Sequence, residues 1–261
     1  MSDLRFSCTA LVGMNKQGVL KPQQDGYYEV VLAALNFPNP SGARYTLSSA
    51  QRILADGSDF SRRVKEGNLR GENGHPKREA HMSDAQWLAR CHDIYESRIS
   101  HHMREVWIDQ TGAVKNYGNE SVIAIMGLVK PSGEMGHLLA ESFENRHENT
   151  CFSLRALTDC FRRPDGGVDK EFVNLVTFDW VHEGGLRPAN KYSSPATESY
   201  TKDFRVDGDL IQAGKKYLSN QPMAMESSGG QSFARSLELA ESLSSKAAAK
   251  VSRPSPLWLR V

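Results

Sequence analysis

No apolar run in this chain is longer than a β-strand. Stretches such as Val30–Leu35 and Val122–Met126 are the longest, and a membrane-spanning helix needs roughly 18 or more consecutive apolar residues. The apolar residues are β-branched and aromatic, and Gly, Pro, Asn and Asp break them into short pieces, the pattern of many short strands with turns between. At 261 residues the chain can bury one sizeable core, or a core and a tail. Its 32 basic and 31 acidic residues leave a net charge of +1, so nothing concentrates a basic face for nucleic acid or a membrane surface. Met1–Arg5 lacks the apolar core of a secretory signal, which predicts a cytoplasmic protein. The four cysteines, Cys8, Cys91, Cys151 and Cys160, form no CxxC pair and read as free thiols.

Periodicity predicts strands over Phe6–Val12, Tyr27–Leu35, Arg98–Asp109, Ser121–Val129, Asn149–Thr158 and Glu171–His182. Helices are predicted from Thr46 to Lys65 with a break near Gly57, over Ser83–Ser97 with Ser83 as N-cap, and from Pro131 to Glu144. Ser48 or Ser49 is the candidate cap of the first. After about residue 190 Ser, Ala, Gly, Lys and Gln become frequent and large apolar residues thin out. The reading is a domain over residues 1–220 and a flexible tail over 221–261, with Ser227-Ser228-Gly229-Gly230 as a linker and a short helix over Ser232–Lys250.

Eight histidines raise the question of a metal. No HExxH and no paired Cys/His spacing fits one, so no metal or other cofactor is expected. Three clusters could carry hydrolytic chemistry instead. In Gly71-Glu72-Asn73-Gly74-His75-Pro76, glycines permit a tight bend and proline stiffens the exit, holding His75 at a strand end. In Ile99-Ser100-His101-His102-Met103, strand alternation puts His101 on the face of Ile99 and Met103. In Cys151-Phe152-Ser153-Leu154-Arg155, a serine sits in an apolar strand two residues before an arginine. Taken singly, these read as a loop histidine, a strand histidine bonded to a backbone carbonyl, and a buried hydroxyl.

Order and spacing add to this. The run Asn39–Tyr45, a helix, Gly71–Pro76, Ile99–His102, then Met126–Val129 leading into Pro131-Ser132-Gly133-Glu134 and a helix, then Phe152-Ser153-Leu154-Arg155, resembles the prohead core proteases of large tailed phages. Val176–Val181 is similar to that family's closing strand. The resemblance spans Asn36 to Gly185, with Leu154 and Ala156 departing from the family's Ser and Gly. It implies an α+β, assemblin-like fold, a mostly antiparallel barrel ringed by helices as in herpesvirus maturation proteases. It implies a serine endopeptidase with Ser153 as nucleophile, His75 as base, His101 orienting His75, and Arg155 supporting the site or its oxyanion hole. An acid in the orienting place, Glu72 or Asp179, stays open, as does Cys151 as a weaker nucleophile. It further implies scaffold and capsid precursors as partners, action inside the assembling prohead in the host cytoplasm, and self-cleavage after a small-x-Glu pattern. Ala224-Met225-Glu226 fits that pattern, giving a cut between Glu226 and Ser227. A homo-oligomer stays open. The alternatives are an inactive head core protein with the same fold and an unrelated metal-dependent hydrolase.

Overall fold

The short apolar runs assemble into two sheets. The structure is a computed structural model that describes residues 4–11, 20, 22–39, 42–109, 123–182, 204–221 and 228–251. Its strands are β1 (Leu4–Leu11), β2 (Tyr28–Leu35), β3 (Ala43–Tyr45), β4 (Arg70–Glu72), β5 (Ile99–Asp109), β6 (Ile123–Pro131), β7 (Cys151–Arg162), β8 (Val168–Val181) and β9 (Phe204–Arg205). One sheet has the order β3-β8-β7-β1-β9 and the other β2-β6-β5-β4. All pairs are antiparallel except β3 with β8.

The α+β class and the antiparallel pairing agree with the sequence reading, but closure into a barrel does not. Among the described residues the sheets meet through one parallel bridge, Asn73 to Trp180, where β4 ends beside β8. With only three residues, β4 is too short to make more than that corner, and the result is a curled half-barrel. Leu32, Val129 and Met103 from one sheet and Phe152, Leu154 and Phe178 from the other fill the space between them.

The predicted helix over Thr46–Lys65 is two helices, α1 (Leu47–Leu54) and α2 (Asp59–Lys65). They are separated at Gly57, whose φ of +86° suits glycine. Thr46, not Ser48 or Ser49, takes the first N-cap position, and the Ser49 hydroxyl turns back to the Thr46 carbonyl. α3 (Asp84–His92) starts at Ser83 in a capping box with Gln86. Pro131 closes β6 instead of opening a helix, and α4 (Gly136–Glu144) begins after a turn at Gly133.

The C-terminal part departs most from the sequence reading. Residues 208–219 form α5 (Gly208–Ser219), and residues read as linker and tail form α6 (Ser228–Val251), a 24-residue helix. Phe233, Leu237 and Ala240 of α6 are buried with Leu210, Ile211 and Leu218 of α5, Trp87, Leu88 and Cys91 of α3, and Leu157 and Val176 of the first sheet. Burial of Phe233 and Leu237 alone is worth about 1.5–3 kcal/mol each. The small residues that suggested flexibility are what lets these helices approach: a Cβ on Gly214 would stand 3.0–3.1 Å from Leu237 and Phe233. A boundary at residue 220 with a flexible tail beyond it therefore does not describe residues 228–251. Glu226 and Ser227 lie outside the described residues.

Candidate active site

β7 and β8 pair with Ser153 directly opposite Asp179 and Arg155 opposite Thr177. Alternation gives these four residues one face of the sheet, while Phe152, Leu154 and Phe178 point from the other face into the half-barrel. The face bearing Ser153 is the one that α3, α5 and α6 cover, since Leu157 and Asn174 lie on it further along.

β4 brings His75 to this face. Thr177 Oγ1 donates to the Arg70 carbonyl (2.6 Å), the Glu72 N–H to Asp179 Oδ1 (3.1 Å), and the Gly74 N–H to the Trp180 carbonyl (2.6 Å). Gly71 makes the approach possible. A Cβ there would lie 2.1 Å from the Phe178 carbonyl oxygen and 2.3 Å from the His101 ring, a separation real atoms do not reach. Gly74, at φ +75°, then turns the chain.

The three side chains form a line. The His75 Nδ1–H donates to Asp179 Oδ2 (2.9 Å), and the Ser153 hydroxyl donates to His75 Nε2 (2.5 Å). Asp179 and Ser153 are fully buried, and His75 is 23% exposed, so solvent reaches the group at its imidazole. With Nδ1 protonated toward the acid, Nε2 presents a lone pair to the hydroxyl, as a general base requires.

Asp179 sits in a buried cluster of charge. Arg155 grips it twice, Nε to Oδ2 (2.9 Å) and Nη2 to Oδ1 (2.7 Å), a bidentate geometry that only a guanidinium offers. Arg155 also lies 3.3 Å from Glu72 and donates through Nη1 to the Asp93 carbonyl (2.8 Å). Glu72, fully buried, takes two bonds from Arg90 (3.0 and 2.8 Å) and the Tyr95 N–H (2.7 Å). Burial alone would raise the Asp179 carboxyl, but Arg155 and His75 outweigh it and hold it well below the usual carboxylate range. The acid is therefore an anion at any pH where histidine titrates.

The structure brings Ser153, His75 and Arg155 together, and with them Asp179 and Glu72, the two acids the sequence had left open for the orienting place. It does not bring His101 to His75. As the alternation argument required, His101 faces inward and is fully buried. Its Nε2–H, however, donates to the Phe178 carbonyl (3.1 Å), and its Nδ1 accepts from Ser100 (2.9 Å). Its ring packs edge-on against Phe152, on the face of β7 opposite Ser153, so the sheet stands between the two histidines. Burial pushes His101 down to about 4, which keeps it neutral. The group that meets His75 Nδ1 is the Asp179 carboxylate, not His101. Arg155 turns its nitrogens to Asp179, the Asp93 carbonyl and Glu72. The signal that favours Asp179 over His101 is an aspartate between Phe178 and Trp180 in an apolar strand, a charge that cannot be buried without partners.

Cys151, at the head of β7, and Cys91 are buried, and Cys160 is partly buried. The side chain of Cys8 lies outside the described residues. Among the described residues no cluster of three or more His, Cys, Asp or Glu could hold a metal, and no helix is long and apolar enough to cross a membrane.

Residues 6–239 match the Peptidase S80 family. The chain is 34% identical over 200 residues to the capsid maturation protease of Pseudomonas phage phiKZ, covering 75% of this chain and 72% of that protein. The solved structure of the bacteriophage T4 capsid assembly protease, gp21, is similar over 69% of this chain and 98% of its own, with 13% identity and a TM-score of 0.46.

Proposed function

Since the chain belongs to the Peptidase S80 family, we propose that it is a serine endopeptidase of phage head maturation, with Ser153 as nucleophile, His75 as base and Asp179 as the acid that orients it. The hydrogen-bonded line Asp179–His75–Ser153 carries the reading. Ser153 Oγ attacks the scissile carbonyl as its proton passes to His75 Nε2, and the Nδ1–H stays on the Asp179 carboxylate. Asp179 stabilises the imidazolium so formed, and Arg155 and Glu72 keep Asp179 in place. His75 Nε2 then protonates the leaving amine, and water enters by the same route in reverse to release the acyl group.

The proposed substrates are scaffold and capsid precursors inside the assembling head, by analogy with the phiKZ relative's name. The half-barrel is taken as a variant of the assemblin fold. Self-cleavage between Glu226 and Ser227 belongs to the same proposal.

The test is incubation of the purified chain beside Ser153→Ala, His75→Ala and the double variant, with new termini mapped by mass spectrometry. Each single variant is expected to abolish cleavage and the double to be no worse, because members of one catalytic unit are not additive. Full cleavage by Ser153→Ala would sink the assignment. A Glu226→Ala chain still cut at the same bond would remove the self-cleavage site alone.

A further inference from the structure

α6 begins against the loop that anchors the catalytic cluster. Gly229, in the first turn of α6, lies so close to Asp93 that a Cβ on it would stand 2.8 Å from Asp93 Oδ1 and 3.1 Å from its Cα. Asp93 is the C-cap of α3, and its carbonyl accepts from Arg90 Nη1 (2.9 Å) and Arg155 Nη1 (2.8 Å). These are the arginines that hold Glu72 and Asp179. A displacement of Asp93 by a few tenths of an ångström therefore bears on Arg155, and through Arg155 on the carboxylate that orients His75.

The rest of α6 is registered on the same body by a buried polar seam. Asn174 Nδ2 donates to Ser232 Oγ (3.2 Å) and Ser236 Oγ (2.5 Å). The Ser236 hydroxyl faces His92 Nε2 (2.8 Å), and His92 Nδ1–H donates to the Leu88 carbonyl (2.9 Å). The Phe233 ring lies 5.0 Å from the His92 ring. His92 is adjacent to Asp93, so this seam fixes where Gly229 meets the cap.

We propose that α6 is a positioning element of the active site: by seating Gly229 on Asp93 it fixes the carbonyl that ties Arg155, and hence the catalytic acid. This rests on the serine protease reading above. It has a consequence for self-processing. A cut between Glu226 and Ser227 severs the chain just before α6 but breaks none of the contacts by which the described residues hold the helix. The processed enzyme is then two chains with α6 still in place.

The test uses the full chain with Gly229→Ala, Gly229→Val and Leu237→Ala, beside wild type and Ser153→Ala, on a peptide substrate. The Gly229 variants are expected to lower kcat in order of side-chain size, by more than tenfold for valine, with KM within twofold. Leu237→Ala lowers the melting temperature through lost packing and keeps kcat within twofold. Wild-type kcat in both Gly229 variants, or an equal kcat loss in Leu237→Ala, overturns the proposal. Should Gly229→Val fail to fold, Gly229→Ala against Leu237→Ala decides. An inactive wild type, or activity that survives Ser153→Ala, refutes the protease reading instead. In gel filtration of the processed protein, co-elution of the Ser227-initiated fragment with the core is expected. Its separation from a fully active core overturns the proposal.

Discussion

Two buried polar regions lie on the same face of the first sheet, and they are built from opposite materials. The cluster around Asp179 is charged throughout: two carboxylates and two arginines, fully or almost fully buried. The seam under α6 is neutral throughout: Asn174, Ser232, Ser236 and a His92 that burial pushes down to about 4. A neutral seam suffices to set the register of a helix. Burying ions costs several kcal/mol per charge before pairing returns any of it. The difference teaches what the charged cluster is for. A carboxylate that must stay ionised beside a histidine requires a permanent cation, and the cation then requires the second carboxylate.

The largest expected effect tests which group orients His75. Asp179→Asn should lower kcat about 10⁴-fold by leaving His75 with the wrong tautomer, while His101→Gln should stay within about tenfold. A reversal of that order in steady-state kinetics would restore His101 as the orienting residue.

Next in size is stability. Arg155→Met leaves two buried carboxylates without their shared partner and should cost about 3–5 kcal/mol in denaturant unfolding. Adding Asp179→Asn to it should recover much of that stability and none of the activity. If the two losses simply add, the groups are not coupled.

A pH titration of stability separates the regions. His92 and His101 are lowered from 6.5 to about 4 when folded, so the unfolded chain binds more protons between those values. Their contribution is full above pH 6.5 and is lost as pH falls toward 4, by about 2 kcal/mol each at pH 5. Asp179 is also depressed, but its contribution is lost only below the ordinary carboxylate range. Melting temperatures from pH 7.5 to 5 should therefore fall in wild type and fall less in His92→Gln.

The smallest effect is in the seam itself. Ser236→Ala removes one neutral partner of His92 and Asn174 and should cost about 1–2 kcal/mol, with kcat falling less than in Gly229→Val. A loss comparable to that of Arg155→Met would mean the seam carries more than register.

Much of this was legible in the sequence, for identifiable reasons. Alternation gave the inward face of His101 correctly, because a period of two is a property of the backbone. It could not say what the ring would meet, and the Phe178 carbonyl belongs to a strand 77 residues away. Ser153 and His75 stood out through motif order, whereas Asp179 stood level with Glu72 as an open acid until its opposition to Ser153 across the β7–β8 ladder was known. α6 was misread because Ser, Ala and Gly serve flexible linkers and close helix packing alike. Composition does not distinguish the two until a neighbour such as α5 is present.

That ladder has a practical use. Ser153 and Asp179 face each other near one end of a long hairpin, and the turn at residues 163–167 lies about nine residues away, ~30 Å along the strands. Because the strand pairing itself keeps Ser153 and Asp179 opposite each other, the turn has no part in spacing them. Asp165 and Gly166 are exposed. This makes the turn a place to insert an affinity tag, a fluorophore or a tether to a solid support, far from Ser153 and Asp179.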